Sequence, residues 1–261
     1  MADNVRTMTE PAPAVTTRVD ADVRFITFDR PAKLNALTVT ELAEVTRLVR
    51  DPGAGVRALV FTGAGERAFS AGMHVDEFAD LSTAGARALI TRVRDFAGAV
   101  RTSPLPTMAV VNGYCLGAAF ELALACDLRV SVDSAGFGLP EVKVGIPSVV
   151  DASLLQRHVG LAMAKEIILT GDIYDAAEMH RLGLLNRVVP RDRLIETAAD
   201  LLGRVTRHTS TVLAAQQRLF ETWLNTPIRD GIEASVEEFA HVFTSDETRA
   251  QVDRHRRSLS G

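Results

Sequence analysis

Short buried strands alternate with helices through the first two thirds of the chain, and this alternation constrains the fold more than any other feature. Several strand candidates are apolar runs with no polar residue at every second position, such as ALVFT at residues 58–62. Strands of that kind are typical of a sheet covered on both faces. The predicted strands are residues 23–28, 58–62, 107–111 and 128–132, and the predicted helices between them are residues 39–50, 81–101 and 117–126. This order predicts an α/β fold with parallel strands.

Beyond about residue 152 the strand signal nearly vanishes and helical periodicity takes over. Apolar residues recur at helical spacing over residues 161–169, 176–182, 191–207, 211–224 and 228–243. We therefore expect a flexible leader at residues 1–15, a core at residues 16–190 and a helical C-terminal region at residues 191–261. The helices of that last region would pack on the core or on another subunit.

Composition and targeting signals exclude several classes of protein. The chain has 261 residues, of which 47% are apolar and 24% charged, as in ordinary globular proteins. Its polar first residues lack the apolar region of a secretion signal. No stretch approaches the roughly 18 consecutive apolar residues of a membrane helix. We expect a cytoplasmic protein that does not insert into membranes.

Charge and cysteine content narrow the possible partners. The net charge is −4, and the 29 basic residues are scattered among 33 acidic ones, so no basic stripe could neutralise a nucleic-acid backbone. Cys115 and Cys126 are the two cysteines, and neither a disulfide framework nor a zinc-binding spacing is present. We therefore expect neither nucleic acid nor a metal ion as a partner.

A glycine-rich segment after the second predicted strand resembles a dinucleotide-binding loop in its letters. Residues 63–68, GAGERA, fit the pattern G-x-G-x-x-A. The pattern binds a pyrophosphate when a helix begins directly behind it and an acidic residue ends a strand about 20 residues later. Residues 69–72, FSAG, are a poor helix start, and a helix is predicted where that strand would end. We interpret residues 63–72 as a turn-rich loop.

Residues 112–127, NGYCLGAAFELALACD, combine a glycine turn with a helix of small residues. Small residues such as Ala118 let a ligand approach the free N–H groups and the positive end of a helix, where a developing anion is stabilised. Glu121 is the single charged residue between the two ends of this segment. A carboxylate among apolar neighbours is costly, so it is either exposed by rotation of the helix or held for a chemical purpose.

A second carboxylate, Glu141, follows Pro140 in the sequence FGLPE, just after the next predicted strand. Proline restricts the preceding residue to extended geometry, so Glu141 lies past a rigid corner. On its own, a glutamate after proline is most often a solvated loop residue or a helix cap. Cys115 is a nucleophile candidate by position, but a small buried thiol is the simpler interpretation.

Five segments, taken together and in order, resemble the motifs of the crotonase, or enoyl-CoA hydratase/isomerase, superfamily. They are FDRPAKLNAL at residues 28–37, FTGAGERAFSAGMHVDEF at 61–78, VVNGYCLGAAFELALACDLRV at 110–130, FGLPEVKVGIP at 137–147 and LTGDIYDAAEMHRLGLLNRVV at 169–189. The resemblance implies a spiral of repeated ββα turns as the core, with a helical C-terminal region that builds trimers, commonly stacked as hexamers.

The resemblance also implies an activity and its residues. The family binds an acyl-CoA thioester and stabilises the enolate with two backbone N–H groups, which correspond to Met73 and Ala118. Glu121 and Glu141 match the two carboxylates of the hydratase members. We assign Glu141 as the proton donor to the α-carbon and Glu121 as the group that activates water. No cofactor is expected, because coenzyme A is part of the substrate.

Further residues are candidates for contacts with the substrate. Lys33 and Arg67 are expected to meet the CoA phosphates, Ala71 lies in the S-A-G motif, and Phe243 is the aromatic expected to reach a neighbour's CoA site. Ordinary surface cations and a plain core aromatic are the alternatives.

Two departures from the family pattern lie near the expected acyl pocket. His74 replaces the commoner aspartate, and residues 145–160 replace a glycine-rich run. A local hydrogen bond is the simpler role for His74.

The leading hypothesis is therefore hydration of a 2-enoyl-CoA thioester. An enoyl-CoA isomerase, another crotonase-type lyase and a non-catalytic acyl-CoA-binding protein are the alternatives. The presence of both glutamates disfavours the isomerase, and the altered segments leave the acyl chain length open.

Overall fold

The computed structural model describes residues 13–259, which form ten strands and ten α-helices. The strands are β1 Val15–Asp20, β2 Val23–Phe28, β3 Ala58–Gly63, β4 Ala68–Ser70, β5 Thr107–Val111, β6 Tyr114–Leu116, β7 Leu128–Val132, β8 Gly136–Gly138, β9 Tyr174–Asp175 and β10 Arg187–Val189. The helices are α1 Val39–Arg50, α2 Thr83–Arg101, α3 Ala118–Ala125, α4 Leu155–Val159, α5 Leu161–Thr170, α6 Ala176–Arg181, α7 Leu194–Thr206, α8 Ser210–Asn225, α9 Ile228–Val242 and α10 Asp246–Ser258.

The ten strands form two sheets, and for much of the chain successive strands belong to alternate sheets. The larger sheet has the order β1-β2-β3-β5-β7-β10 and the smaller one the order β4-β6-β8-β9. Of the strand pairs described, β1–β2 and β8–β9 are antiparallel and the rest are parallel. In the strand pairs β3-β4, β5-β6 and β7-β8 the first strand joins the larger sheet and the second joins the smaller one, and helices α2 and α3 follow the first two of these pairs. The predicted α/β fold with a ββα spiral is confirmed.

The hydrophobic core is built from both sheets and from helices that include α1, α2 and α3. Every residue of β5 is buried, as the run TMAVV predicts, and the first four residues of β3 are buried as well. Helix α3 is buried over its whole length, which explains why its sequence is apolar on every side except at Glu121. The functional helix is therefore a core element of the protein.

Both sheets have strands that the sequence prediction missed. Strand β1 precedes the predicted first strand, and its polar, mostly exposed sequence VTTRVD gives little apolar signal. Strands β9 and β10 lie in the part expected to be helical, and their two or three residues are too short to show a period. Of the expected leader, residues 1–12 lie outside the described residues, and Val15 already begins β1.

The interpretation of residues 63–72 as a loop was wrong in one respect. Three of them, Ala68–Ser70, form β4, which pairs in parallel with β6. All three residues are buried, so the packing of the smaller sheet, and not local periodicity, defines this strand. A strand in this place also confirms that no helix opens behind the G-x-G-x-x-A pattern.

The C-terminal region is helical from Leu194 to Ser258, apart from the turns between helices. Helix α10 was not predicted, because its sequence DETRAQVDRHRRS contains little apolar signal. One side of α9 carries exposed apolar residues at helical spacing, which we call the α9 stripe: Ile228, Ile232, Val236 and Phe239. Over the described residues, no helix combines the length and the apolar content needed to span a bilayer.

Candidate active site

Helix α3 places Glu121 in the interior of the protein. The residue is 3% exposed, and its Oε2 atom has no hydrogen-bond partner among the residues that the structure describes. A buried carboxyl group without such a partner costs free energy. Of the two interpretations of Glu121, the structure excludes exposure by rotation of the helix. The carboxyl of Glu121 lies in the core, and a chemical role would explain why the protein keeps a buried acid there.

Burial and two neighbouring acids raise the pKa of Glu121 to about 8. Loss of hydration is the largest cause, and the negative charges of Glu141 and Asp151 add to it. Backbone N–H groups of Asp151 and Val149 act in the opposite direction. At neutral pH the carboxyl of Glu121 therefore keeps its proton in most molecules. A pKa near the working pH suits general acid–base catalysis.

The second carboxyl, Glu141, lies on the short 3₁₀ helix Pro140–Val144 that follows β8. Ser148 donates a hydrogen bond from Oγ to Glu141 Oε2 at 2.8 Å. The other oxygen, Oε1, faces Gly117, where a Cβ atom would lie 2.8 Å from it. Glu141 is thus held against the start of α3, and Glu121 lies about one helical turn further along that helix.

Met73 offers the first of the two expected backbone donors. A parallel bridge joins Met73 to Leu37: Leu37 N donates to Gly72 O at 2.8 Å, and His74 N donates to Leu37 O at 2.7 Å. This pattern uses the groups on either side of Met73 and turns its own N–H away from Leu37. Within residues 13–259 that N–H makes no hydrogen bond, so it is available to a ligand.

Ala118 offers the second donor as the first residue of α3, where a helix N–H has no internal acceptor. The preceding Gly117 has φ of +55° and donates its N–H to Gly138 O at 3.0 Å. Gly72 lies against this turn, because a Cβ atom on Gly72 would be 3.1 Å from Ala118 N and 2.7 Å from Leu116 O. This close approach, which glycine permits, brings the residues of both expected donors side by side.

One cavity of about 270 Å³ has Met73, Ala118, Glu121 and Glu141 in its wall. Apolar side chains form most of the remainder, among them Phe78, Ile90, Val93 and Val149. Two free backbone N–H groups beside two carboxyls can stabilise a developing oxyanion and move protons in the same space. The structure thus brings together the four residues expected to act in catalysis.

The expected substrate-binding residues are spread more widely. Ala71 lines the cavity, and its N–H donates to Leu34 O at 2.9 Å. Lys33 and Arg67 are exposed and lie outside the cavity wall, on two loops that approach each other at Pro31 and Gly65. That position leaves both cations free to meet a ligand group outside the cavity, and their role stays a prediction.

Phe243 follows α9 directly and is 38% exposed. Its ring lies 5.2 Å from that of Phe239, measured between centroids, and the side chain does not line the cavity. Its expected contact with a neighbouring subunit's CoA site stays a prediction.

Two residues near the cavity have local structural roles. His74 caps the 3₁₀ helix Val75–Phe78, with its Nδ1 atom 3.4 Å from Asp76 N and from Asp76 Oδ2. Cys115 is fully buried, which raises the pKa of its thiol well above the usual range. Both observations agree with the simpler of the roles considered for these residues.

Sequence reasoning missed two polar residues of this site, Ser148 and Asp151. Both lie in residues 145–160, which depart from the family pattern and were recognised as a departure without any residue being singled out. Asp151 is 7% exposed, and its Oδ2 atom lies 3.4 Å from Arg101 Nε. An acidic residue in place of a glycine-rich run is the signal that could have identified it.

Comparisons with known proteins agree with the geometry. The family model "Enoyl-CoA hydratase/isomerase" matches residues 18–258. The probable enoyl-CoA hydratase echA8 of Mycobacterium tuberculosis is 39% identical over 216 residues, which cover 79% of this chain and 82% of that protein. The crotonyl-CoA hydratase of Syntrophomonas wolfei is 35% identical, over 68% of this chain and 69% of its own.

Solved structures show the same fold. The crystal structure of an enoyl-CoA hydratase from Bacillus anthracis superimposes with a TM-score of 0.88 at 26% identity, covering 94% of this chain and 96% of that one. The match of the family model over nearly the whole chain, the identity of the relatives and the shared fold lead to one conclusion: the chain belongs to the enoyl-CoA hydratase/isomerase family.

Proposed function

We propose that the protein adds water across the 2,3 double bond of a 2-enoyl-CoA thioester. The observation that carries this proposal is the pair of carboxyls, Glu121 and Glu141, on the wall of one cavity that also holds two free backbone donors. Relatives named as enoyl-CoA hydratase and crotonyl-CoA hydratase support it. The reaction moves only water and protons, so its chemistry needs no metal or redox cofactor.

The proposed reaction proceeds through an enolate. Glu121, as the carboxylate, takes a proton from water while the hydroxide oxygen bonds to C3 and the double-bond electrons move toward the thioester oxygen. The N–H groups of Met73 and Ala118 stabilise the oxyanion. Glu141 then donates its proton to C2, which completes the addition of one water. Proton exchange between the two carboxyls returns the site to its starting state.

The raised pKa of Glu121 bears on this division of roles. The proposed reaction needs one proton on the pair, and in the free protein at neutral pH the raised pKa keeps a proton on Glu121 in most molecules. For Glu121 to activate water, the proton has to pass to Glu141 when the substrate and water enter. The reverse division, with Glu121 donating to C2, needs no such transfer.

Proton exchange at the α-carbon distinguishes the two divisions. A saturated acyl-CoA cannot be hydrated, but the group that faces its α-carbon can exchange an α-proton with D₂O. If Glu141 is that group, Glu121→Gln keeps the exchange, followed by mass spectrometry, and Glu141→Gln loses it. The opposite result would assign the α-carbon to Glu121.

The acyl tail has space to extend beyond the cavity. A second depression of about 510 Å³ shares Phe78, Ile90 and Ile146 with the cavity wall and continues along α2 past Leu89. We infer that it accepts an apolar tail longer than that of a four-carbon substrate.

A hydration assay over enoyl-CoA chain lengths tests both the activity and this inference, by following the loss of absorbance of the conjugated double bond. A kcat/KM that rises beyond four carbons is expected. Hydration of the shortest substrates alone would exclude a role for the depression. Tight binding of the whole panel without turnover, or double-bond migration without hydration, would overturn the hydratase proposal.

The proposed assembly is a homotrimer, or a hexamer of two trimers. It is supported by the α9 stripe, whose four apolar side chains are each at least 59% exposed in the single chain. Apolar side chains at such regular spacing are typical of a helix that packs on a partner.

A further inference from the structure

A strained turn lies beside the catalytic helix. Val150 has φ of +52°, a backbone conformation that β-branched residues rarely adopt. It begins the 3₁₀ helix Val150–Leu154, which packs on α3. Such strain persists only where surrounding contacts hold it, so the residues around Val150 must supply a restraint.

Three charged side chains lie next to this turn, of which Asp151 is buried while Arg101 and Glu221 are partly exposed. Asp151 follows Val150 directly, and its Oδ2 atom lies 3.4 Å from Nε of Arg101, the last residue of α2. The same guanidinium forms an ion pair with Glu221 of α8. Asp151 is 7% exposed, so little water can replace Arg101 as its partner, and loss of the contact would leave a poorly compensated negative charge. The turn is thereby joined to α2 and, through Arg101, to the C-terminal region.

The turn at Val150 brings backbone N–H groups close to Glu121. The N–H groups of Val149 and Asp151, on either side of Val150, lie near the carboxyl of Glu121, whose Oε2 atom has no hydrogen-bond partner among the described residues. We propose that Asp151 is a positioning residue, whose ion pair with Arg101 holds the strained turn at Val150 so that these two N–H groups face Glu121. The kinetic part of this proposal rests on the proposed hydratase function.

Two acidic side chains face Glu121, and one cation lies behind them. The 3₁₀ helix of residues 140–144 supplies Glu141, the turn supplies Asp151, and α2 supplies Arg101 on the far side of Asp151. A negative neighbour raises the pKa of Glu121, and nearby N–H donors lower it. Asp151→Asn and the double variant Asp151→Asn, Val150→Gly both lack the Asp151 charge. Any difference between them in the pKa of Glu121 therefore reports where the N–H groups of residues 149 and 151 lie.

Glycine at position 150 provides the rescue that a merely structural role would not predict. Asp151→Asn removes the ion pair, and we expect kcat to fall about ten- to a hundredfold with little change in KM, because displacement of a catalytic group costs that much. Adding Val150→Gly should restore kcat to within a few-fold, since glycine adopts a positive φ without a restraint. Val150→Gly alone should stay active.

The matched control is Asp127→Asn. Asp127 is a partly buried acid that is also joined to α8, because Gln217 Nε2 donates to its Oδ2 atom at 2.7 Å, and the same oxygen accepts a hydrogen bond from Thr107 instead of facing Arg101. It should leave kcat within a few-fold of the parent in samples shown to be folded by circular dichroism. An equal loss in the control, or no rescue by Val150→Gly, would overturn the positioning role.

A measurement without substrate separates this proposal from the hydratase proposal. The side-chain carboxyl carbon of Glu121 is followed by NMR in glutamate-labelled protein, with the signal assigned by Glu121→Gln. The titration midpoint should be higher in Asp151→Asn than in the Asp151→Asn, Val150→Gly double variant, where the N–H groups have returned. Equal midpoints would refute the positioning of the turn. A parent that titrates as expected but hydrates no enoyl-CoA would refute only the hydratase function.

Discussion

Glu121 is protonated in the folded protein over a pH range in which the unfolded chain ionises it. Its pKa rises from an ordinary value of 4.5 to about 8, chiefly through burial. Unfolding therefore releases a proton between these two values. The stabilising effect of proton binding is complete below about pH 4.5 and is lost progressively as the pH rises to about 8.

Glu121→Gln should remove this dependence on pH. In the parent the Glu121 contribution to the free energy of unfolding should fall by up to about 1.4 kcal/mol per pH unit within that window. The amide cannot ionise, so the variant should become the more stable protein toward pH 8. Denaturant unfolding at a series of pH values measures the difference, and Glu66→Gln, at an exposed position, is the control. Parallel curves for the parent and Glu121→Gln would contradict the raised pKa.

The carboxyl groups of Glu121 and Glu141 should both be essential for turnover. Glu141→Gln and Glu121→Gln each keep the shape of the side chain but cannot transfer a proton, so hydration should fall about 10²- to 10⁴-fold. Binding of a saturated acyl-CoA, measured by calorimetry, should change little. Activity within a few-fold of the parent would remove that residue from the mechanism, and loss through Glu141 alone would favour an isomerase.

At this scale the sequence identifies the reacting residues better than their surroundings. Glu121 and Glu141 stand out because each is an acid in an apolar or rigid context. Ser148 and Asp151 do not stand out in the sequence. They lie in an irregular segment, and packing against α2 and α3 determines which of its polar residues are buried. The positive φ of Val150 depends on the same packing and could not be predicted from the sequence.

At the scale of elements, the oxyanion site depends on backbone groups of a loop and a helix end. Met73→Pro removes an N–H and should cost about 3 kcal/mol or more of transition-state stabilisation. Met73→Ala keeps the donor and serves as the matched control, with a modest effect. Kinetics and thermal melts on both variants separate loss of the donor from distortion of the loop.

The helix end permits a parallel test at Ala118. Ala118→Gly should remain active, whereas the larger side chain of Ala118→Val should push the thioester away from the donors. If Ala118→Val and Met73→Pro were both folded and fully active, the oxyanion site would lie elsewhere.

Element boundaries followed from the sequence where burial and length were sufficient. Helix α1 begins after Thr38, whose capping box with Glu41 makes the start explicit, and β5 occupies the predicted residues. The strands of the smaller sheet were not predictable in this way. Three-residue strands such as β4 are defined by hydrogen bonds to partners distant in sequence, which local periodicity does not record.

At the scale of the whole molecule, the α9 stripe predicts self-association. The parent should behave as three or six copies in analytical ultracentrifugation. Ile232→Glu combined with Phe239→Glu should yield smaller species, because charges on the stripe oppose its burial. Ile195→Glu on α7 is the matched control, since Ile195 is 58% exposed and lies off the stripe, compared with 59% and 67% for the two test positions. A parent that remains monomeric at micromolar concentration would contradict the proposed assembly.

The position of β10 has a consequence for synthesis on the ribosome. Strand β7 pairs on one side with β5 and on the other with β10, which is made more than fifty residues later. Until residues 187–189 emerge, the nascent sheet ends in an open, largely buried-type strand of the kind that pairs with other chains. The larger sheet is therefore complete only when β10 has left the exit tunnel. A chain released before that point exposes the unpaired edge of β7, which can pair with strands of other chains.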